Sequence, residues 1–221
     1  MSLNDEKRDN RIYLVVAIFI IVVIILTIFF STNKLVSAKI EDYILGSSWI
    51  EDIGERDCGS GVLGLEKWAS FTYKNNNVTY PAYVTVTSFK TVFMMNEQDL
   101  KNKMEETIRG SSKQGVSVDL ETKITGERTL NNGHKTLYSI YDGNYSSNEA
   151  DEKIKIIGET WNCGTSGTSI ICIGYAQITD KAHNNSEIDF TYWVKILKDK
   201  DGTFGLDYKG NEGLLFNVKC H

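Results

Sequence analysis

Residues 12–30 read IYLVVAIFIIVVIILTIFF, 19 positions without a charge and with polar side-chain atoms only on Tyr13 and Thr27. A helix of that length reaches about 28 Å at 1.5 Å per residue, against a bilayer hydrocarbon core of roughly 30 Å. A helix that is apolar on every side must be buried, and lipid is the simplest place. A secretory signal peptide has an apolar region of only ~7–15 residues and a small-residue cleavage site close behind it. Here the nearest such pattern, Val36-Ser37-Ala38, comes eight residues after Phe30. An uncleaved anchor is expected, with cleavage after Ala38 as the competing reading.

The rest of the chain divides around that segment. Residues 1–11 form a charged tail expected in the cytoplasm, 12–30 a transmembrane helix, 31–46 a stalk that is helical over 34–45, and 47–221 an extracytoplasmic α+β domain. Lys7, Arg8 and Arg11 before the span outnumber Lys34 and Lys39 after it, which favours a cytoplasmic N-terminus. Four cysteines and three sequons, at Asn77, Asn144 and Asn184, point the same way, toward a cell-membrane protein with its large domain outside. The sequon asparagines are candidate glycosylation sites. The expected partner is therefore the lipid bilayer, through residues 12–30. With 24 Lys+Arg against 29 Asp+Glu and no basic stripe, nucleic acid is excluded as a partner.

Downstream of the stalk the text alternates between apolar and polar residues at strand spacing. Strands are expected over 65–74, 78–90, 116–124, 134–142, 154–163 and 169–179, with turns at Asn75-Asn76-Asn77 and Asn131-Asn132-Gly133. Asn96 is placed to cap a helix bearing Leu100, Met104 and Ile108 and closing at Gly110. Ser186-Glu187-Ile188-Asp189 looks like a capping box before Phe190, Trp193, Val194 and Leu197, with Gly202 as the stop. The expected class is α+β: an antiparallel sheet of about six strands, two amphipathic helices packed on it, and one N-terminal transmembrane helix in front.

The helix at 97–109, the meander Gly126-Glu127-Arg128 to Gly133-His134-Lys135-Thr136-Leu137-Tyr138 and the closing hairpin and helix at 153–198 give an order of elements that resembles the PsbP-like fold. That family places helices on an antiparallel sheet and occurs in photosynthetic extrinsic proteins and in prokaryotic exported or anchored proteins. The resemblance spans residues 49–200 and rests on order and pattern, so it implies a fold and not an activity.

Chemistry-bearing motifs are sparse. Gly59-Ser60-Gly61-Val62-Leu63-Gly64 has the letters of a dinucleotide fingerprint, but strand text follows where a helix is required, so it reads as a loop. Asp199-Lys200-Asp201-Gly202 fails as an EF-hand because Leu197 and Tyr208 would occupy its first and last ligand positions. A looser cation site from Asp199, Asp201, Asp207 and Glu212 is the residual reading. Cys58 is a candidate nucleophile only if His134 or His183 approaches it. Zinc is disfavoured, since Cys163 and Cys172 are not spaced as a knuckle and no His pair accompanies them. The tyrosines at 80, 83, 138, 141, 145 and 175 read as sheet packing, with a ligand groove as the alternative.

No catalytic, cofactor or metal residues are assigned. The cysteines are instead expected as disulfides. A two-residue turn at Gly167-Thr168 would set Cys163 opposite Cys172 with Cα atoms about 4.5 Å apart, within the roughly 4.4–6.8 Å a disulfide accepts. Cys58 and Cys220 then pair by elimination. The functional expectation is a membrane-anchored extracytoplasmic accessory or binding domain; the competing reading is an anchored hydrolase or thiol enzyme.

Overall fold

The computed structural model describes residues 16–23, 34–61, 64–77, 79–146, 150–204 and 213–221. The chain separates into two compact units, one ending at Lys34 and one running from Leu35 to His221. In the first, residues 16–23 are helical and carry exposed apolar side chains, Phe19 the most exposed at 67%. The rest of the expected span 12–30 lies outside the described residues. Among the described residues no helix is long and apolar enough to cross a membrane.

The second unit is dominated by one antiparallel sheet of eight strands: β1 (Trp49–Glu51), β2 (Asp57–Ser60), β3 (Glu66–Asn75), β4 (Ala82–Thr91), β5 (Val116–Thr129), β6 (Lys135–Ser146), β7 (Asp151–Cys163) and β8 (Thr168–Gln177). Their order is β1-β3-β4-β8-β7-β6-β5, with β2 also on β3. The expected class is therefore corrected: the described residues form an eight-stranded sheet with a few short helices, in place of six strands with two helices, and among them no helix is long and apolar enough to cross a membrane. β1 and β2 were missed because three and four residues are too short to display alternation. They lie end to end along one edge of β3, against Tyr73–Asn75 and Lys67–Ser70 respectively. Between them the Asp52 carboxylate accepts from the Gly54 amide and pairs with Lys74 at 2.6 Å, which turns the chain at the break. In the middle of the sheet β4 meets β8, with Val86 opposite Cys172.

Alternation along each strand builds two cores. Ile157 and Ile170 face one side of the sheet, Ile156 and Ile171 the other. On the second side lies α2 (Glu97–Gly110), whose cap Asn96 accepts from the Asp99 amide at 2.8 Å and whose Leu100, Met104 and Ile108 pack on Tyr141, Ile154, Ile156 and Ile171. Gly158 makes this close contact feasible: a Cβ there would sit 2.5 Å from Met104 Sδ.

The first side is covered by α1 (Asp42–Leu45), α3 (Thr191–Leu197) and the segment 213–221. Ala38, Ile40 and Leu45, read from sequence as stalk, are buried in this core, and only Asp42–Leu45 is helical there. α3 is shorter than expected. The capping box at 186–189 does not form, because Asp189 donates its amide to Ile178 and its carboxylate accepts from Thr191. Lys198, with φ 65°, ends the helix well before Gly202.

Candidate metal centre

Three remote parts of the chain converge at one end of the sheet. The β5–β6 turn is closed by the Leu130 amide donating to His134 O and by Gly133, whose φ of 82° suits a residue without Cβ. The Asn132 carboxamide oxygen accepts from the His134 amide, which fixes how that histidine leaves the turn. The turn is docked in addition on the segment 213–221: the Asn131 amide donates to Phe216 O and the Asn132 side chain to Val218 O at 2.8 Å. Burial of Leu214, Leu215, Phe216 and Val218 lays that segment across the first core. It ends with Cys220 and His221 beside Cys163, the last residue of β7.

One donor atom from each of His134, Cys163, Cys220 and His221 lies within 4.8 Å of every other. His221 Nδ1 is 3.4 Å from Cys163 Sγ and 3.5 Å from Cys220 Sγ. Tetrahedral zinc with bonds of about 2.3 Å to sulfur and 2.05 Å to nitrogen has S···N edges of about 3.6 Å. The two edges therefore already match a metal-bound arrangement. His134 Nε2 is buried and has no hydrogen-bond partner among the described residues. A buried imidazole nitrogen left unsatisfied costs free energy that a bound cation would recover. The imidazoles of His134 and His221 meet edge to face, 5.4 Å between centroids.

The electrostatics suit a cation. Burial, and after it the neighbouring His221, hold the His134 imidazole below its ordinary pKa and hence neutral, the form that ligates. Burial pushes the Cys163 thiol up, but contacts from Ser166, Cys220 and His221 outweigh it, and the net shift is down. Cys220 moves up, through burial and then the adjacent Cys163. The Asn132 carboxamide N–H points toward Cys220 Sγ at 3.9 Å, a weak outer contact of the kind that orients a ligating sulfur.

The structure does not bring the expected disulfide partners together. All four cysteines are free. The β7–β8 loop has four residues, Gly164 to Gly167, so Cys163 faces Thr168 and Cys172 faces Glu159. The two-residue turn placed Gly167 at its first central position, whereas Gly167 closes the longer loop with φ 62°. Cys172 is fully buried, and burial drives its thiol well above the ordinary value, which makes it inert. Cys58 is exposed on β2, opposite Ala69, far along the sheet order from β7.

The other singled-out residues also find plain positions. Asp199 accepts from the amides of Asp201 and Gly202, a local turn, while Asp207 and Glu212 lie outside the described residues. Gly59 belongs to β2 and covers the Trp68 ring; Val62 and Leu63 of the glycine-rich motif lie outside the described residues. His183 contacts Asp180 at 2.8 Å. Asn144 and Asn184 are exposed and Asn77 is half-buried. Tyr83 and Tyr175 are cross-strand neighbours with rings 6.1 Å apart, as sheet packing requires. The metal donors escaped sequence reasoning because they are separated by 29 and 57 residues, and their one local signal is the adjacent pair Cys220-His221.

No family model, curated protein or solved structure matches this chain.

Proposed function

We propose that this protein is a metal-binding domain tethered at a bilayer, with zinc or a similar borderline-soft divalent ion held by His134, Cys163, Cys220 and His221. The convergence of two sulfurs and two imidazole nitrogens within 4.8 Å carries this reading. Two thiolates and two neutral imidazoles are the donor set of closed, tetrahedral zinc sites. Catalytic zinc keeps one position for water, and four protein donors leave none. The donor set therefore favours an accessory or binding domain over a hydrolase.

The tether is the uncharged segment 12–30, whose described residues 16–23 expose Val16, Ile18, Phe19, Ile20, Ile21, Val22 and Val23. Contiguous apolar surface of this kind seeks a membrane or a partner. The basic flank and the exposed sequon residues Asn144 and Asn184 support an outward-facing domain.

Cobalt substitution tests the centre. The full chain in detergent should take up one Co²⁺, with the visible bands of a tetrahedral ion and a sulfur-to-metal charge-transfer band, both displaced by one equivalent of Zn²⁺. An octahedral, sulfur-free cobalt spectrum, or no uptake, would overturn the proposal.

A further inference from the structure

The segment 213–221 ends in two metal donors and, one residue earlier, clasps the start of the domain. Lys219 and Lys39 exchange both backbone hydrogen bonds: the Lys39 amide donates to Lys219 O at 2.9 Å and the Lys219 amide to Lys39 O at 2.8 Å. The Lys219 ammonium pairs with Glu41 at 2.9 Å. Residues 35–41 are the part of the domain directly downstream of Lys34, where the unit holding the apolar segment ends.

That entry segment has modest support of its own. Besides the Lys219 bridge, the Ala38 amide donates to Ser88 Oγ at 2.7 Å, the Ile40 amide to the Tyr73 hydroxyl at 3.0 Å, and Glu41 O accepts from the Ile44 amide at 2.9 Å. Ala38 and Ile40 are buried, while Leu35 and Ser37 are only half-buried and Val36 is exposed. The bridge to Lys219 is thus the tie that joins it to the segment 213–221. Lys219 is in turn placed by its neighbours, Val218 through Asn132 and Cys220 through the sulfur–imidazole cluster. Cys220 and His221 make sulfur contacts of 3.4–3.9 Å, and a bound cation would give each a bond of about 2.0–2.3 Å to a centre fixed on β7 and the β5–β6 turn.

We infer that the centre is a latch: cation binding fastens the segment 213–221, and through the Lys39–Lys219 bridge it fastens the entry segment 35–41 to the domain. This rests on the metal reading above and adds to it. The consequence is a protein whose occupancy by zinc sets how firmly the chain leaving the apolar segment is docked. A ligand bound only by the closed form slows opening-limited exchange by a factor of about 1 + [L]/Kd, or roughly 100-fold at 100 times Kd.

Hydrogen–deuterium exchange of the full chain in detergent, with Zn²⁺ at about 100 times its Kd and then with chelator, tests the latch. The amides of Lys39 and Lys219 should exchange up to about 100-fold faster after chelation, while those at the β4–β8 centre, such as Val86 and Cys172, change little. Cys163→Ser, which leaves the Lys39–Lys219 backbone bridge and the Lys219–Glu41 pair in place, should abolish the zinc effect; slow exchange at Val86 would show that the variant remains folded. If Zn²⁺ binds one to one with cobalt charge transfer but Lys39 and Lys219 exchange at unchanged rates, the latch is wrong and the centre survives. Equal slowing across the whole sheet also overturns it, because global stability would account for that. Absence of metal uptake removes both.

Discussion

Arg128 and Glu159, on β5 and β7 with β6 between them, form a two-pronged ion pair inside the first core. Arg128 Nε donates to Glu159 Oε1 at 2.7 Å, a second guanidinium nitrogen donates to Oε2, and Thr136 donates to Oε1 at 2.6 Å. The carboxylate side chain is 0% exposed and the guanidinium stacks over Phe204 at 4.4 Å. Removing one partner leaves an uncompensated buried charge, at a cost of about 3–5 kcal/mol. Arg128→Ala and Glu159→Ala should each lower the unfolding free energy obtained from urea titration by that amount, whereas the double replacement by Met and Leu should cost much less than the sum. Additive losses in that cycle would show that the two groups are not coupled.

The metal centre predicts a thermal response. Zinc at about 100 times Kd stabilises by about 2.7 kcal/mol, which for a domain of this size raises Tm by roughly 5–10 °C. Calorimetry with and without chelator should show that interval in the native chain. It should vanish in Cys220→Ser and His134→Ala but persist in Cys58→Ser, whose sulfur is remote from the cluster.

Glu152 supplies a pH dependence. It is buried, and burial raises its pKa, but the hydrogen bonds from the Lys181 and Ala182 amides and the Thr179 hydroxyl outweigh it, so the net shift is down. A carboxylate whose folded pKa lies below its unfolded value of 4.5 contributes stability that is complete above that value. The contribution is lost as pH falls from about 4.5 through the folded pKa. Stability measured by urea titration should decline over that window, and Glu152→Gln should flatten the decline. An unchanged acid limb in the variant would assign the loss to other groups.

Packing of α2 is tested at Met104, which is 1% exposed over Gly158. Met104→Ala removes contacts that the backbone cannot replace and should cost about 2–5 kcal/mol by equilibrium unfolding. A cost near zero would mean that α2 collapses freely onto the sheet.

Much of the sheet was legible from residue order, and its failures have local causes. Six strands announce themselves, β4 by alternation between a buried and a more exposed face and β7 and β8 as longer apolar stretches buried on both faces, and α2 because Asn96, Leu100, Met104 and Ile108 satisfy capping and periodicity together. The short edge strands β1 and β2 carry too few residues for a period. The β7–β8 register turned on whether Gly167 opens a two-residue turn or closes a four-residue loop, and both suit a glycine. That choice moved Cys172 from opposite Cys163 to opposite Glu159. The metal donors were illegible for a different reason. Long-range convergence of a turn, a strand end and a closing segment is a property of topology, and no spacing along the chain encodes it.

The pairing of Val86 with Cys172 at the centre of the sheet has a kinetic meaning. β4 is made early, yet its second neighbour is the last strand in sequence, so the sheet cannot close until the helix and the three strands that separate them along the chain have been made. Loop-closure entropy must be spent before that contact contributes, and folds dominated by such non-local pairings assemble in milliseconds to seconds, not microseconds. During synthesis the β3–β4 hairpin therefore waits with one unpaired border of backbone amides and carbonyls. In that interval the nascent chain is most exposed to aggregation and most in need of a chaperone.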